Sequence, residues 1–253
     1  MKTVLSYGGG VQTTALGIMV CQSKVHADIV IFADTGCERP ETYWYMDNYM
    51  KPMFAEADIP FHVVRSESPS SQPDLYGSLW KYRDIVNIQF RRCTSTYKFE
   101  PIRKFLKDWD VGLSGRDVNM LIGFSADEAK RATKKKSSNK GWAKTSYPLM
   151  ELGLTGADCQ RLISDEGLPI PTKSSCYICP FQPPFEWQWL KANHPELFQK
   201  VLDLEARFHE RKPHLKDTAG AYRGLPLRHI AEGQQYSMGL TLERSCWDGS
   251  CGH

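Results

Sequence analysis

The chain opens with Val4-Leu-Ser-Tyr-Gly8-Gly-Gly10-Val-Gln-Thr-Thr14, an apolar run that breaks into three glycines and then into hydroxyl residues. This order of residue types builds a cradle for an anion. Val4 and Leu5 end a buried strand, Gly8 to Gly10 turn with their N–H groups facing outward, and Ala15 to Val20 supply the apolar helix behind them. A phosphate is then held by backbone donors, with no basic side chain required. An ordinary glycine turn between a strand and a helix has the same local pattern, so the reading depends on what accompanies it.

Cysteines supply a second chemistry. Cys176-Tyr-Ile-Cys179 places two thiols where a tight turn aims both at one ion, a spacing shared by zinc sites, iron–sulfur sites and redox dithiols. Cys93 and the pair Cys246 and Cys251 raise the count to five candidate ligands, against the four of a closed site, which favours a metal centre over a free dithiol. Cys21 and Cys159 fall on predicted helices and read as packed small apolar residues, whereas Cys37 follows Gly36 in a loop and is given no role. Asp34, Asp127 and Glu128 stand nearest to predicted strand ends. They are the carboxylates on hand for the Mg²⁺ that accompanies a triphosphate, which needs only one or two, and their alternative reading is as surface acids at loop starts. His62, His194, His209, His214 and His229 show no paired ligand spacing. His253, two residues after Cys251, reads either as a group that lowers that thiol's pKa or as part of a frayed terminus.

The elements that position these groups alternate. After the first strand and helix, Asp28 to Ala33 reads as a second strand ending at Asp34-Thr-Gly36. Pro40 and Glu41 then open a helix to about Ala57, and Phe61 to Val64 reads as a third strand. Alternation of this kind predicts an α/β fold, a Rossmann-like parallel sheet with helices on both faces, whose ligands sit at the carboxyl ends of the strands. Both glycine-bearing loops fall at such ends and should face one crevice. Ser66 to Asp74 reads as a loop, Lys98 to Trp109 as a helix and Asn119 to Phe124 as another central strand. Thr155, with Asp158 three residues on, caps a further helix. Trp187 to Arg211 is helical with a break near Pro195, and the tail from Lys212 is irregular. The expected division is a nucleotide-binding α/β domain over 1–150 and a helical, cysteine-bearing region over 151–253, packed as one unit.

At 253 residues the chain can bury a full core, and 32 Lys and Arg against 29 Asp and Glu leave too small a net charge for a global nucleic-acid-binding field. A local one remains in the Lys130–Lys144 stretch, where Lys130, Arg131, Lys134, Lys135, Lys136, Lys140 and Lys144 read either as a solvated loop or as a phosphate-backbone contact, and Trp142 beside them either as a loop anchor or as a stacking platform for a base. No apolar run reaches membrane-spanning length and no signal peptide is evident, so a cytoplasmic protein without membrane partners is expected. In that reducing compartment the eight cysteines read as ligands or reactive thiols rather than a disulfide framework.

Taken in order, these segments resemble the adenine-nucleotide alpha-hydrolase (PP-loop ATP pyrophosphatase) superfamily, and within it a bacterial and phage branch similar to phosphoadenylyl-sulfate (PAPS) reductases. Ser6-Tyr-Gly-Gly-Gly-Val-Gln-Thr-Thr14 looks like the pyrophosphate loop Ser-Gly-Gly-x-x-Ser with a tyrosine inserted. Asp34-Thr-Gly-Cys-Glu-Arg-Pro-Glu-Thr42 resembles the second nucleotide loop. Cys93-Thr-Ser-Thr-Tyr-Lys98-Phe-Glu-Pro101 is similar to the cysteine–lysine–proline segment of the iron–sulfur reductases, with Thr94 in place of their second cysteine. Ser250-Cys-Gly-His253 looks like a shortened form of their catalytic tail. Gly123-Phe-Ser-Ala-Asp-Glu-Ala-Lys-Arg131, Tyr147-Pro-Leu149 and Lys173-Ser-Ser-Cys-Tyr-Ile-Cys-Pro180 extend the resemblance over the whole chain.

The resemblance implies that ATP or a sulfonucleotide, with Mg²⁺, is held by Ser6, Tyr7, Gly8, Gly9, Gly10, Gln12, Thr13, Thr14, Phe32, Asp34, Thr35, Gly36 and Gly123. Lys98 and Arg131 would neutralise phosphate oxygens. Cys93, Cys176 and Cys179 would ligate an iron–sulfur cluster, or zinc, with Cys246 or Cys251 as fourth ligand; a three-ligand cluster with an open iron is the other form. The implied function is α–β phosphate cleavage to adenylate an acceptor, coupled to sulfur transfer of the nucleic-acid thiolation or phosphorothioation type. Two alternatives stand beside it: a sulfonucleotide reductase in which Cys251 attacks sulfur and thioredoxin resolves the product, and a structural zinc protein that binds an anion incidentally. The implied partners are tRNA or DNA at Lys130–Lys144, and a sulfur donor or thioredoxin.

Overall fold

The computed structural model describes residues 1–67, 72, 74–86, 88, 92–110, 114, 117–130, 132, 142–222 and 225–231. Strands β1 (Lys2–Tyr7), β2 (Ile29–Ala33), β3 (Phe61–Val64), β4 (Val118–Ile122) and β5 (Lys144–Ser146) form one sheet in the order β3-β2-β1-β4-β5. Every pairing is parallel, with Val4 opposite both Ile29 and Met120. From β1 the chain builds first towards β2 and β3 and then returns to add β4 and β5. This is the reversal in strand order that opens a crevice at the carboxyl ends of an α/β sheet.

Side-chain alternation gives each face its own core. Leu5, Tyr7, Val30, Phe32 and Leu121 pack under α1 (Val11–Cys21) and the helical run over residues 40–56. Val4, Ile29, Ile31, Ala33 and Met120 pack under Ile102 and Leu106 on the opposite face. With both faces covered, the strands read as near-continuous apolar runs, as parallel strands must.

The predicted helix over 40–57 is built from α2 (Pro40–Tyr45), a π-helical turn (Met46–Met50) and α3 (Lys51–Glu56). Past α4 (Leu75–Tyr82), a second run joins α5 (Arg92–Thr94), a π turn (Ser95–Phe99) and α6 (Glu100–Trp109). Each π turn stands two residues before a proline, Pro52 or Pro101. A proline cannot donate to the carbonyl four residues back and its ring crowds that carbonyl, so a widened turn lets the helix continue through it. The second π turn carries Lys98.

Beyond α7 (Pro148–Glu151), α8 (Gly156–Asp165) begins at a capping box between Thr155 and Asp158 and packs Cys159 and Ile163 into the first core. Then α9 (Pro184–Asn193) and α10 (Pro195–Arg211) are separated at His194, in front of Pro195. Trp187, Leu190, Phe198 and Val201 of these helices form a third core with Cys37, Leu75, Tyr97, Tyr177 and Ile178. Buried Glu205 in α10 folds the following segment back on itself, accepting from Ala221 N at 2.7 Å and Leu227 N at 2.8 Å, ahead of the short α11 (Arg228–Ala231). Among the described residues no helix is long and apolar enough to cross a membrane.

Candidate functional site

The glycine loop links the carboxyl end of β1 to the amino end of α1. Gly9 has φ +74°, a left-handed conformation that glycine adopts without strain. The Thr13 hydroxyl organises the turn, accepting from Gly8 N at 3.3 Å and Gly10 N at 3.2 Å and donating to Gly10 O. The first N–H groups of a helix have no partner inside it, and those of α1 start directly after the glycine turn. Gly123, just past β4, packs against this corner: a Cβ there would lie 2.8 Å from Thr13 Cγ2 and 3.0 Å from Thr13 N. Only a glycine lets β4 approach the start of α1 so closely.

Not every residue of the loop faces outward. Tyr7 is buried among Phe32, Phe54 and Phe61 with its hydroxyl 3.3 Å from that of Thr14, itself fully buried. Phe32 likewise fills the core, so the side chains of Tyr7, Thr14 and Phe32 are all turned inward. Gln12 lies half-buried near Gly156.

The second loop, over 34–39, is held at every residue. Asp34, buried at 1% exposure, accepts from Gly36 N at 2.7 Å and Tyr43 OH at 2.6 Å through Oδ1, and from Arg65 Nε at 2.8 Å and Nη2 at 2.6 Å through Oδ2. Gly36 is left-handed, with φ +71°. Thr35 Oγ1 lies 3.1 Å from Cys176 Sγ, and Cys37 O accepts from Tyr177 N at 2.8 Å. Glu38 Oε1 receives Lys98 Nζ at 3.2 Å and Cys176 Sγ at 3.3 Å. Arg39 bonds Gln182 and, at 2.9 Å, Glu186, whose other oxygen takes Lys173 at 2.6 Å. This polar network ties the loop to the cysteine turn and to α9. Sequence reading missed Glu38, Arg39, Lys173, Gln182 and Glu186, although the first two stand inside the second loop and Lys173 three residues before Cys176.

Cys176 and Cys179 form a tight turn, with Cys179 N donating to Cys176 O at 3.0 Å. Burial, and next Glu38, raises the Cys176 thiol well above its ordinary pKa, and burial also raises Cys179. Glu38 in turn raises the Lys98 ammonium, to which Cys176 and Cys93 also contribute. Soft sulfur donors suit iron–sulfur or zinc ligation. Yet among the described residues no three His, Cys, Asp or Glu side chains converge as a metal site would require. Cys246 and Cys251 lie outside the described residues, as do Arg131, Lys134, Lys135, Lys136 and Lys140. The described thiols thus do not by themselves enclose a metal.

Two other carboxylates named from the sequence are engaged. Asp127 accepts from Gly156 N at 3.3 Å, and Glu128 is buried, accepting from Ser125 Oγ at 3.2 Å. Beside Ser6, a cavity of about 270 Å³ opens between α6 and the sheet, lined by Lys98, Phe99, Met120, Ile122, Trp142 and Tyr147 among others. That is at the small end of the ~300–1,000 Å³ typical of small-molecule sites. Ser6 and Lys98 share this cavity, and Lys98 connects it to the thiols.

Parts of this chain are shared with known proteins. An uncharacterized protein of Methanocaldococcus jannaschii is 24% identical over 217 residues, 80% of this chain and 47% of that protein. Phosphoadenosine 5'-phosphosulfate reductases of Zymomonas mobilis and Pectobacterium atrosepticum are 34% and 33% identical over 111 residues, 43% of this chain and 42% of each enzyme. The chain thus spans under half the length of the curated relatives it matches. A U34-tRNA thiolase, NcsA, from Methanococcus maripaludis, solved with its [4Fe-4S] cluster, aligns over 99% of this chain and 80% of its own at TM-score 0.46 and 15% identity, a likeness too loose to relate individual residues. The phosphoadenosine phosphosulfate reductase domain model matches residues 2–172, covering both nucleotide-type loops and the sheet, and the chain belongs to that family.

Proposed function

We propose that the chain is a PP-loop enzyme that binds ATP, cleaves its α–β phosphate bond to adenylate an acceptor, and then delivers sulfur to that acceptor. The observation that carries the reading is the 3.1 Å contact between Thr35 Oγ1 and Cys176 Sγ, which puts a sulfur one side chain away from the loops at the carboxyl ends of β1 and β2. The glycine loop and the amino end of α1 would hold the phosphates, and catalysis would be mainly positioning and charge stabilisation. Lys98, on the cavity wall with Ser6, would serve that task, with Arg131 its partner from the sequence. Attack of an acceptor oxygen on the α-phosphorus forms an acceptor–AMP ester and releases pyrophosphate; a sulfur nucleophile then displaces AMP. Cys93, Cys176 and Cys179, with Cys246 or Cys251, are the proposed ligands of an iron–sulfur cluster at the thiol end.

Exposed Lys130 and Lys144 flank the basic run, which favours tRNA or DNA as the acceptor. The second reading, sulfonucleotide reduction with Cys251 as nucleophile and thioredoxin as reductant, is favoured by the names of the two enzymes that match the chain at a third identity. The deciding experiment uses protein purified without oxygen, its visible spectrum and its iron and zinc content recorded. Pyrophosphate release from ATP is measured with tRNA or DNA, and sulfite release from adenylyl sulfates with thioredoxin. Nucleic-acid-dependent pyrophosphate release from a brown, iron-containing protein supports the first reading. Sulfite release without ATP replaces it with the second, and a colourless zinc protein with neither activity makes the cysteines a structural clamp.

A further inference from the structure

We propose that Ser174 is a direct ligand of the phosphate chain, so that the cysteine-bearing segment completes the cradle begun by the glycine loop; the inference rests on the nucleotide-binding reading of that loop. The Ser174 hydroxyl lies 2.8 Å from where a Cβ on Gly10 would stand, and its Cβ lies 3.7 Å from the corresponding point on Gly9. Thr42 packs on the same side of Gly9, its methyl 2.5 Å from that point. Thr42 is 2% exposed, yet its hydroxyl has no hydrogen-bond partner among the described residues, and neither has the buried hydroxyl of Ser175.

Buried hydroxyls are almost always paired, so the unpaired hydroxyls of Thr42, which packs on Gly9, and of Ser175, next to Ser174 in the chain, leave this corner short of an acceptor. A phosphate chain is such an acceptor. Its oxygens would take the free N–H groups at the start of α1 from one side and hydroxyl donors from the other, as charge-assisted bonds.

This assignment gives the geometry a consequence for sulfur chemistry. Ser174 stands two residues before Cys176, and its segment is docked through the Tyr177 N to Cys37 O bond at 2.8 Å and the bridge between Glu38 and Cys176. Phosphate that binds Ser174 binds best when the cysteine turn is seated, and by linkage its presence favours that seating. The nucleotide is thereby sensed by the thiol segment itself.

The test is calorimetric titration of the full chain with inorganic pyrophosphate and, separately, with adenosine. Ser174→Ala should weaken pyrophosphate about tenfold or more, the loss expected for one hydrogen bond to a charged group, and leave adenosine affinity unchanged. Ser174→Thr keeps the hydroxyl and should stay within about threefold of the unaltered protein. Pyrophosphate affinity unmoved in Ser174→Ala overturns the proposal. So does an equal loss in the Ala and Thr variants, or an equal loss for pyrophosphate and adenosine, since either points to packing. If the unaltered chain binds neither pyrophosphate nor ATP, the glycine-loop reading falls first and takes this inference with it.

Discussion

Gly9→Ala isolates the geometry on which the nucleotide reading stands, because two separable costs meet at that residue. Its φ of +74° costs an L-residue about 1–2 kcal/mol. The added methyl would also sit 2.5 Å from Thr42 Cγ2, and Thr42, at 2% exposure, cannot swing into solvent. Crowding of this kind in a packed interior costs about 1–3 kcal/mol, for a sum of roughly 2–5 kcal/mol. Gly153 provides the control, since its φ is +69° with nothing within 4 Å of a Cβ, so Gly153→Ala carries the backbone cost alone. At about 2–4 °C per kcal/mol for a chain of this size, Gly9→Ala should melt roughly 2–12 °C below Gly153→Ala. The ligand response separates them further. ATP at about a hundred times its Kd stabilises a binding protein by about 2.7 kcal/mol, a rise that Gly153→Ala should keep and Gly9→Ala should lose. Thermal unfolding with and without ATP reads both quantities. A Gly9→Ala protein that melts with Gly153→Ala and keeps the ATP-dependent rise would refute the close packing of the loop and its role as a cradle.

Three further outcomes follow from the same geometry. Burial holds the Cys37 and Cys159 thiols up at about 12 and Cys21 at about 11, so brief alkylation of the native protein at pH 8 should spare all three and label them only after unfolding, as read by peptide mass spectrometry. Hydrogen bonds from Thr155 and Arg161 lower Asp158 from 3.8 to about 2. A depressed carboxylate stabilises above its unfolded pKa and stops doing so as pH falls through its folded one, so the melting-temperature gap between the parent and Asp158→Asn should close between about pH 4 and pH 2. Arg39→Ala leaves Glu186 in the interior with Lys173 as its remaining cation, and should cost about 3 kcal/mol, or roughly 6–12 °C in melting temperature, while Arg211→Ala, whose ion pair with Asp84 is exposed, should move it by less than about 4 °C.

The elements were legible where local chemistry is strong. Apolar runs marked β1 to β4, the Thr155–Asp158 pair marked the start of α8, and Pro195 marked the break between α9 and α10. The helix over Leu75–Tyr82 and the edge strand over Lys144–Ser146 escaped notice: one is short and capped by Asp74, the other is three residues long with no apolar alternation. The glycine cluster and the cysteine spacing pointed to the two halves of the candidate site, but not to the polar side chains between them. Glu38, Arg39, Gln182 and Glu186 belong to segments far apart in the chain, and no periodicity relates residues that meet only after the sheet has formed. Side-chain direction was equally hidden. Tyr7 and Thr14 belong to the glycine motif, yet alternation along β1 and the inner face of α1 turn them into the core.

The second loop is what joins the two halves of the candidate site. A nucleotide loop alone needs only a turn, and a cysteine pair alone needs only a tight bend. Here the six residues from Asp34 to Arg39 spend their backbone and side chains on Arg65, Cys176, Tyr177, Lys98, Gln182 and Glu186 in turn. Cys37, fully buried in the third core, is the apolar pin of this joint. Buried ion pairs such as Arg39 with Glu186 add little net stability, since desolvation offsets most of the attraction, but they penalise any other seating of the helices because a displaced charge is left unpaired. The network therefore fixes position more than it adds strength. A chemistry that must hand a group from a phosphate-bearing ligand to a sulfur needs that fixed distance, because small misplacements of reacting groups cost large factors in rate.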